Sequence, residues 1–510
     1  MWILWCLKIT HTPTLQPCII DAASDMTNIN PNLEALLFSI YCMAIFSLDE
    51  VACETMFRTR REVTIRRYQL GAREALLRCD FMKSSNRDCL TALLLYLMSV
   101  KPDVHPRSLT SILGIAMRTA ERMGLNTEPA NARHAALEAE LRRRLWWALV
   151  LFDARIVEMS NGSRSATLIP TWDCKVAANV SDVDLRAETK NVAAATGHRQ
   201  YPSEAVFVVM RTLVADCVRR APSHLDFINP VLKSVASPTL VNASTESSRW
   251  TALEALLESD LLSCCDTENP LHYMTIWTAR FALAKARFIQ HLATFSPSNE
   301  EQRDAGLSYA RTMLECDTRL MASPLIKRFR WSVYIQMPFP AYVHLVHDLR
   351  KRPHGAHVEL AWKAIGDNSA ARLLHSVHTD YAVEKTPHFP FFKILARFVL
   401  QAWAVWDQTT GGLQETPAVV TQLRLMLARV DQELRTRAVA LEDCALGVDS
   451  ADLGVDDLLN FDGFDFQYGP LSSMGASTFS TDPSQLSASL NDGQWDWYGS
   501  TWGAMPGQRW

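Results

Sequence analysis

Six histidines sit in three H-x-x-H pairs: His344/His347, His354/His357 and His375/His378. On a helix each pair shares one face and could offer two ligands to a metal ion, but a zinc site needs four, and the flanking residues supply no more. Core or exposed histidines explain the pairs better. Asp456-Asp457-Leu458-Leu459-Asn460 superficially resembles the aspartate-rich motif of all-helical terpene cyclases. A magnesium-diphosphate site needs its carboxylates on a rigid helix facing an apolar cavity. Here the aspartates stand in a Gly- and Ser-rich acidic stretch with no second metal motif after them. The chain contains no GxGxxG, Walker A, GxSxG or HExxH signature. The expectation is a protein without catalytic residues, with no cofactor in this chain and no metal site.

Arg142, Arg143 and Arg144 precede Trp146 and Trp147. Basic residues beside aromatics can stack and neutralise nucleic acid. Packing is the stronger reading, because the tryptophans border an apolar stripe of Leu137, Leu141, Leu145, Leu149, Phe152 and Ile156. The arginines then project around the polar side, with Glu138 and Glu140 four residues before Arg142 and Arg144, the favourable order for helix ion pairs.

The elements that position these residues read as helices almost throughout. The chain of 510 residues is 48% hydrophobic and 21% charged, with a formal charge of -4. That is globular composition with no overall basic character to draw it to nucleic acid. Its 12 cysteines are scattered without C-x-x-C spacing and read as reduced, mostly buried thiols. The apolar opening MWILWCLKIT is too short for a signal peptide, and no run reaches the roughly 18 apolar residues of a membrane helix.

Residues 1–30 read as an irregular segment. Helical period begins after Pro31 with Leu33, Leu36, Leu37 and Ile40. A second helix is expected over about 54–79 and a third from Asn86, its N-cap. The next carries Leu109, Ile112, Leu113, Ala116 and Ala120, and ends where Gly124 supplies a left-handed C′ residue and Leu125 packs back. Residues 163–190 read as an ordered loop and 184–204 as a surface excursion. Helical period resumes at 204–220, 251–262, 272–295, 300–320, 325–350, 357–378, 391–406 and 417–443. Strand alternation is almost absent. The fold class is therefore all-α, an irregular array of αα-hairpins over 31–443. No convincing leucine heptad for self-association is visible.

From Glu442 onward the chain has 11 acidic residues and one basic residue, interleaved with Leu458, Leu459, Phe461, Phe464, Phe466, Trp495 and Trp497. Residues 444–510 read as a disordered acidic-aromatic tail. Its carboxylates would keep those side chains solvated until they dock on a partner, which marks it as a candidate activation segment.

Two stretches carry a resemblance. AMRTAERMGLNTEP (116–129), followed by 136–185, is similar to the middle homology region of fungal zinc-cluster transcription factors. The matching positions are Gly124-Leu125, then Glu140 with Arg142, Arg143, Arg144, Leu145, Trp146 and Trp147, then Asp153, then Asn179, Asp182 and Asp184. LVHDLRKRPHGAHVELAWKAI (345–365) resembles a later element of the same family, so the likeness runs over roughly 33–380. One departure is Ala177-Ala178, where the family usually has proline.

The resemblance implies a nuclear regulator of a fungal metabolic gene set, including secondary-metabolite biosynthesis. Its implied partners are transcriptional coactivator machinery and a related full-length factor or a second copy of itself. It also implies a six-cysteine zinc cluster that binds DNA. Cys6 and Cys18 cannot build that module, so zinc belongs to the protein only if an N-terminal cluster domain has been lost with an upstream exon. Otherwise DNA is reached indirectly, through a partner. The alternative functions are a DNA-binding-deficient modulator of a full-length relative and a helical enzyme such as a terpene cyclase.

Overall fold

The computed structural model of the chain describes residues 6–101, 106–159, 172–185, 202–224, 243–294, 300–376, 390–410, 416–428 and 432. The tail from 444 onward, with its seven docking candidates, lies outside the described residues, as does His378. The described residues are all-α, with no strand among them.

The first helices are α1 (Thr12–Ser24), α2 (Pro31–Phe46), α3 (Glu50–Phe57), α4 (Arg61–Arg78) and α5 (Arg87–Val100). They are followed by α6 (Pro106–Arg122), the single turn α7 (Glu128–Asn131), α8 (Ala136–Met159) and α9 (Val206–Val218). The rest are α10 (Ala243–Leu256), α11 (Pro270–Thr294), α12 (Glu300–Ala322), α13 (Arg330–Ile335), α14 (Phe339–Lys351), α15 (Ala356–Ser376) and α16 (Pro390–Thr410). A π-helical turn, Leu257–Leu262, extends α10.

Helix α5 is buried on every side from Cys89 to Val100. Its sequence is apolar all round, so it must run through a core rather than along a surface. Asn86 starts it, its side-chain oxygen accepting from the N–H groups of Asp88 at 2.8 Å and Cys89 at 3.3 Å. Helix α2 packs on both α4 and α5, α6 pairs with α8, and α9 reaches α11. These share one apolar core. A second core gathers Phe288, Leu314, Tyr342, Leu345, Ile365 and Trp403 from α11, α12 and α14 to α16.

Three expectations need correction. The segment expected to be irregular over 1–30 contains a helix, since α1 occupies Thr12–Ser24. Pro13 falls in its first turn, where a missing N–H costs nothing. Asp182, far along the chain, accepts from the Thr12 N–H at 3.3 Å and so caps the helix from outside.

The helix expected at 54–79 is two helices. Arg58 adopts a left-handed conformation (φ 55°) that ends α3, and α4 restarts at Arg61. The break lets the buried Arg61 donate to the last-turn carbonyls of α2, Ile45 at 3.2 Å beside the Leu48 N–H and Phe46 at 2.7 Å. The helix expected at 325–350 is likewise broken, into a 3₁₀ turn (Lys327–Phe329), α13 and α14, because Pro338 and Pro340 remove the N–H groups a continuous helix would need.

All eleven described cysteines are unbridged, and seven are buried.

Candidate functional site

Helix α8 brings the arginine run to the interior. Successive helix residues point about 100° apart, so three arginines in a row reach three different segments. Arg142 donates to the Asn131 side chain at 3.0 Å and to the Met123 carbonyl, the exposed end of α6. Asn131, itself buried, donates on to the Leu125 carbonyl at 2.8 Å.

Arg143 forks onto Glu128 of α7 at 2.6 and 3.1 Å. Burial alone would raise the Glu128 carboxyl pKa; the Arg143 bonds and the Lys175 N–H outweigh it and hold the group below its ordinary value. Arg144 is fully buried against a fully buried Glu140 at 2.9 Å. It also donates to the Val180 carbonyl at 3.2 Å and lies 3.7 Å from Asp182.

The expected polar face is therefore a buried face. Arg142 and Arg144 are 5% and 0% exposed, and Glu138 pairs with Arg87 of α5 rather than with Arg142. What covers the face is the segment 172–185, which has no helical period and must satisfy its backbone elsewhere.

The side chains and carbonyls of the clamp do this residue by residue. Asn126 accepts from the N–H groups of Asp173 and Cys174, Glu128 from that of Lys175, and Glu140 from that of Ala178 at 2.9 Å. Thr212 of α9 accepts from the Ala177 N–H at 3.3 Å. The Trp147 indole donates to the Lys175 carbonyl at 2.7 Å. The Ala177-Ala178 departure is thereby explained, since proline at 178 would remove the N–H that holds Glu140. Trp146 and Trp147 meet Trp172 edge-on at 5.3 and 5.1 Å, and the Arg219 guanidinium lies 3.9 Å over the Trp172 ring. This is an interior aromatic cluster, not a stacking platform for bases.

The segment's far end meets the N-terminal residues. Lys8, 2% exposed, pairs with Asp182 at 2.8 Å and Glu204 at 3.5 Å. His11 contacts the Asp182 carbonyl at 2.8 Å through Nε2. Glu204 accepts from the Asp182 N–H at 2.8 Å and the Ser181 hydroxyl at 3.0 Å. Burial opposes its ionisation; these donors and Lys8 prevail and keep its pKa low. Asn179 accepts from Ser203 at 2.6 and 3.1 Å.

Of the family-motif residues, Glu140, Arg144 and Asp182 therefore converge on one ionic clamp, while Asn179 ties the segment to Ser203. Gly124 (φ 73°) ends α6, with Leu125 N–H bonding the Ala120 carbonyl at 3.0 Å. Leu125 and Leu145 are fully buried. Asp153 is buried in α8, and the Asp184 N–H closes a turn onto the Ser181 carbonyl at 3.1 Å.

Sequence reasoning missed Lys8, His11, Asn131, Glu204 and Arg219. Of the stretch 184–204, expected at the surface, Leu185 and Ser203 are buried, and 186–201 lie outside the described residues. Only a lysine closing an otherwise apolar opening run hinted at Lys8.

His357 meets Asp348 at 3.4 Å, but among the described residues no group of three His, Cys, Asp or Glu is placed to hold a metal. His344 and His347 are half-buried beside the second core, His344 edge-on to Phe288 at 5.0 Å. Burial first, then neighbouring positive groups, drives their pKa values down to about 3 and about 4.

With this geometry in place, comparisons with known proteins bear on it. A family model described as "Fungal specific transcription factor domain" matches residues 6–193, spanning both arms of the clamp from Lys8 to Asp182. The chain is similar to Transcriptional regulator AacuB of Aspergillus aculeatus, 44% identical over 87% of this chain and 59% of that protein. It is similar to Transcriptional regulator nsrM of Aspergillus novofumigatus, 43% identical over 82% of this chain and 56% of that protein. The Aurofusarin cluster transcription factor of Gibberella zeae is 26% identical over 84% of this chain and 63% of its own length. The chain thus spans under two thirds of the length of each of these relatives. Among the described residues, no helix is long and apolar enough to cross a membrane.

Proposed function

From the premise that this chain belongs to the fungal-specific transcription factor domain family, we propose that it regulates transcription of a metabolic gene set. We place it in the nucleus and assign that gene set to secondary-metabolite biosynthesis, an assignment that the name of the aurofusarin-cluster relative supports. The helical array is its regulatory domain, not an enzyme's scaffold. The observation that carries the reading is the clamp. Glu140 and Arg144, which match the family pattern on α8, hold the backbone of 172–185 at Ala178 and Val180, and Arg144 lies 3.7 Å from Asp182 of the matched Asn179–Asp184 element, all inside the matched span. Buried ion pairs are weak sources of stability but strong sources of a single arrangement, which suits a regulatory scaffold better than a catalytic pocket.

The acidic-aromatic residues after 444 are the proposed activation segment, docking on coactivator machinery through Leu458, Leu459, Phe461, Phe464, Phe466, Trp495 and Trp497. DNA is contacted through a zinc-cluster domain of the whole protein or through a DNA-bound relative; no residue of this chain is assigned to zinc.

The test is disruption of the gene followed by transcript profiling. Expression changes should concentrate in one contiguous set of biosynthetic genes. Fusing the chain to an unrelated DNA reader should then drive a reporter, and removing residues 444–510 should reduce that output at least tenfold. An unchanged transcript profile would overturn the reading.

A further inference from the structure

Cys79 and Cys89 stand ten residues apart and meet sulfur to sulfur, with their Sγ atoms 3.1 Å apart. Cys79 follows the last residue of α4, and Cys89 lies in the first turn of α5. Asp80, in the left-handed region (φ 46°), turns the chain between them. Asn86 then starts α5 and accepts from the Cys89 N–H at 3.3 Å, which fixes the second thiol in place. Among the described residues this is the one contact between two thiols.

The two sulfurs differ in access. Cys79 is half-buried, whereas Cys89 is 1% exposed. A reagent therefore reaches Cys79 first, and Cys89 waits behind it as the resolving thiol. A disulfide holds its sulfurs about 2.0 Å apart, so closing the bond asks each thiol to move by roughly half an ångström. The turn between them is gripped from outside. Arg122, the last residue of α6, donates to the Ser84 carbonyl at 3.0 Å, and Arg87 of α5 pairs with Glu138 of α8 at 3.0 Å. A bond between the cysteines would thus brace α4 and α5 where α6 and α8 already hold them.

We propose that Cys79 and Cys89 form a reversible disulfide, made by exchange with a low-molecular-weight disulfide such as oxidised glutathione. The Cys79 thiol gives its proton to water, attacks one sulfur of that reagent, and one glutathione thiolate leaves. The Cys89 thiol then loses its proton, attacks the Cys79 sulfur of the mixed disulfide, and releases the second glutathione. Two protein thiols are oxidised to one disulfide while one glutathione disulfide is reduced to two thiols, so atoms and electrons balance. Burial first, then Cys89 and more weakly Asp80, push the Cys79 thiol up to about 12. Thiolate is therefore scarce at neutral pH, and the exchange is slow there and quickens with alkalinity. The pair answers a sustained change in thiol poise rather than a brief pulse of oxidant.

Mass spectrometry of the full chain, reduced, desalted and then held with oxidised glutathione, reads the bond. Trypsin cuts after Arg78, Lys83 and Arg87, so the two cysteines fall in separate peptides that only a disulfide joins. The joined peptide should accumulate in the folded chain, vanish with dithiothreitol, and form about tenfold faster at pH 8 than at pH 7. Cys79→Ser should reduce modification of Cys89 at least about tenfold, because the buried thiol loses its entry point. Cys89→Ser should stop the reaction at its first step, with glutathione retained on Cys79. The exposed Cys18 and Cys264 give the background of simple glutathione adducts. The oxidised wild type should melt about 2–5 °C above the reduced chain, a shift that neither serine variant shows. The wild-type peptide map decides the matter even where a serine variant folds poorly. A joined peptide that is absent at pH 8, or that forms only after unfolding in urea, overturns the proposal. So does Cys89 joined as readily to other cysteines as to Cys79.

Discussion

Glu140 and Arg144 show how much depends on removing one charge rather than two. Both are fully buried, and their 2.9 Å contact exists in an interior where an unpartnered charge costs several kcal/mol. Arg144→Met would leave the Glu140 carboxylate with Arg143 at 3.4 Å and the Ala178 N–H at 2.9 Å as its remaining partners. We expect a loss of about 3–5 kcal/mol in urea unfolding, and a similar loss for Glu140→Leu. The double variant E140L/R144M should lose much less than the two singles added together, because it removes the charge and its counter-charge at once. The Lys8–Asp182 pair stays intact in it. Additive losses in this cycle would mean that the two side chains are not coupled, and the clamp would reduce to independent contacts.

At the scale of elements, helix ends decide the geometry. Gly124 stands at φ 73°, and a Cβ there would lie 2.9 Å from the Ala130 Cβ. Gly124→Ala should therefore destabilise by about 1–2 kcal/mol, from left-handed strain and the clash together. Gly114, within α6, has nothing within 4 Å of its added Cβ. Gly114→Ala should stabilise by about 0.5–1 kcal/mol. Opposite signs in one melting series check both.

Such local rules were legible in the sequence. Apolar period located most of the helices, Asn86 announced α5, and the Gly-Leu pair announced the end of α6. The breaks at Arg58 and near Pro338 were less legible. The first exists because Arg61 is needed at the end of α2, a requirement that no window around residue 58 contains. The clamp was legible as a list of residues and not as a site. The α8 arginines read as solvent-facing because the segment that buries them has no period of its own.

For the whole molecule, the consequential result is where the folded unit begins. A boundary at Pro31 would divide the clamp, since Lys8 and His11 hold Asp182, and Asp182 in turn caps α1. The family match starting at residue 6 agrees with the larger unit. Consider a chain shortened to begin at Pro31. Asp182 and Glu204 lose Lys8 and face each other across the Ser181 turn, with Arg144 as the remaining cation beside Asp182. Leu7 and Ile9, both buried in the first core, leave an apolar surface uncovered. Two buried side chains of this size contribute about 3–6 kcal/mol, before the unpaired lysine site is counted. The shortened chain should therefore melt well below the full chain, and the amides of 176–185 should exchange with solvent far faster, because their acceptors are no longer held in place. Lys8→Met in the full chain separates the two contributions. It keeps the apolar cover and removes the charge, so it should accelerate exchange at 176–185 with a smaller drop in melting temperature. If the shortened chain matched the full one in both measurements, the first thirty residues would be an appendage rather than part of the fold.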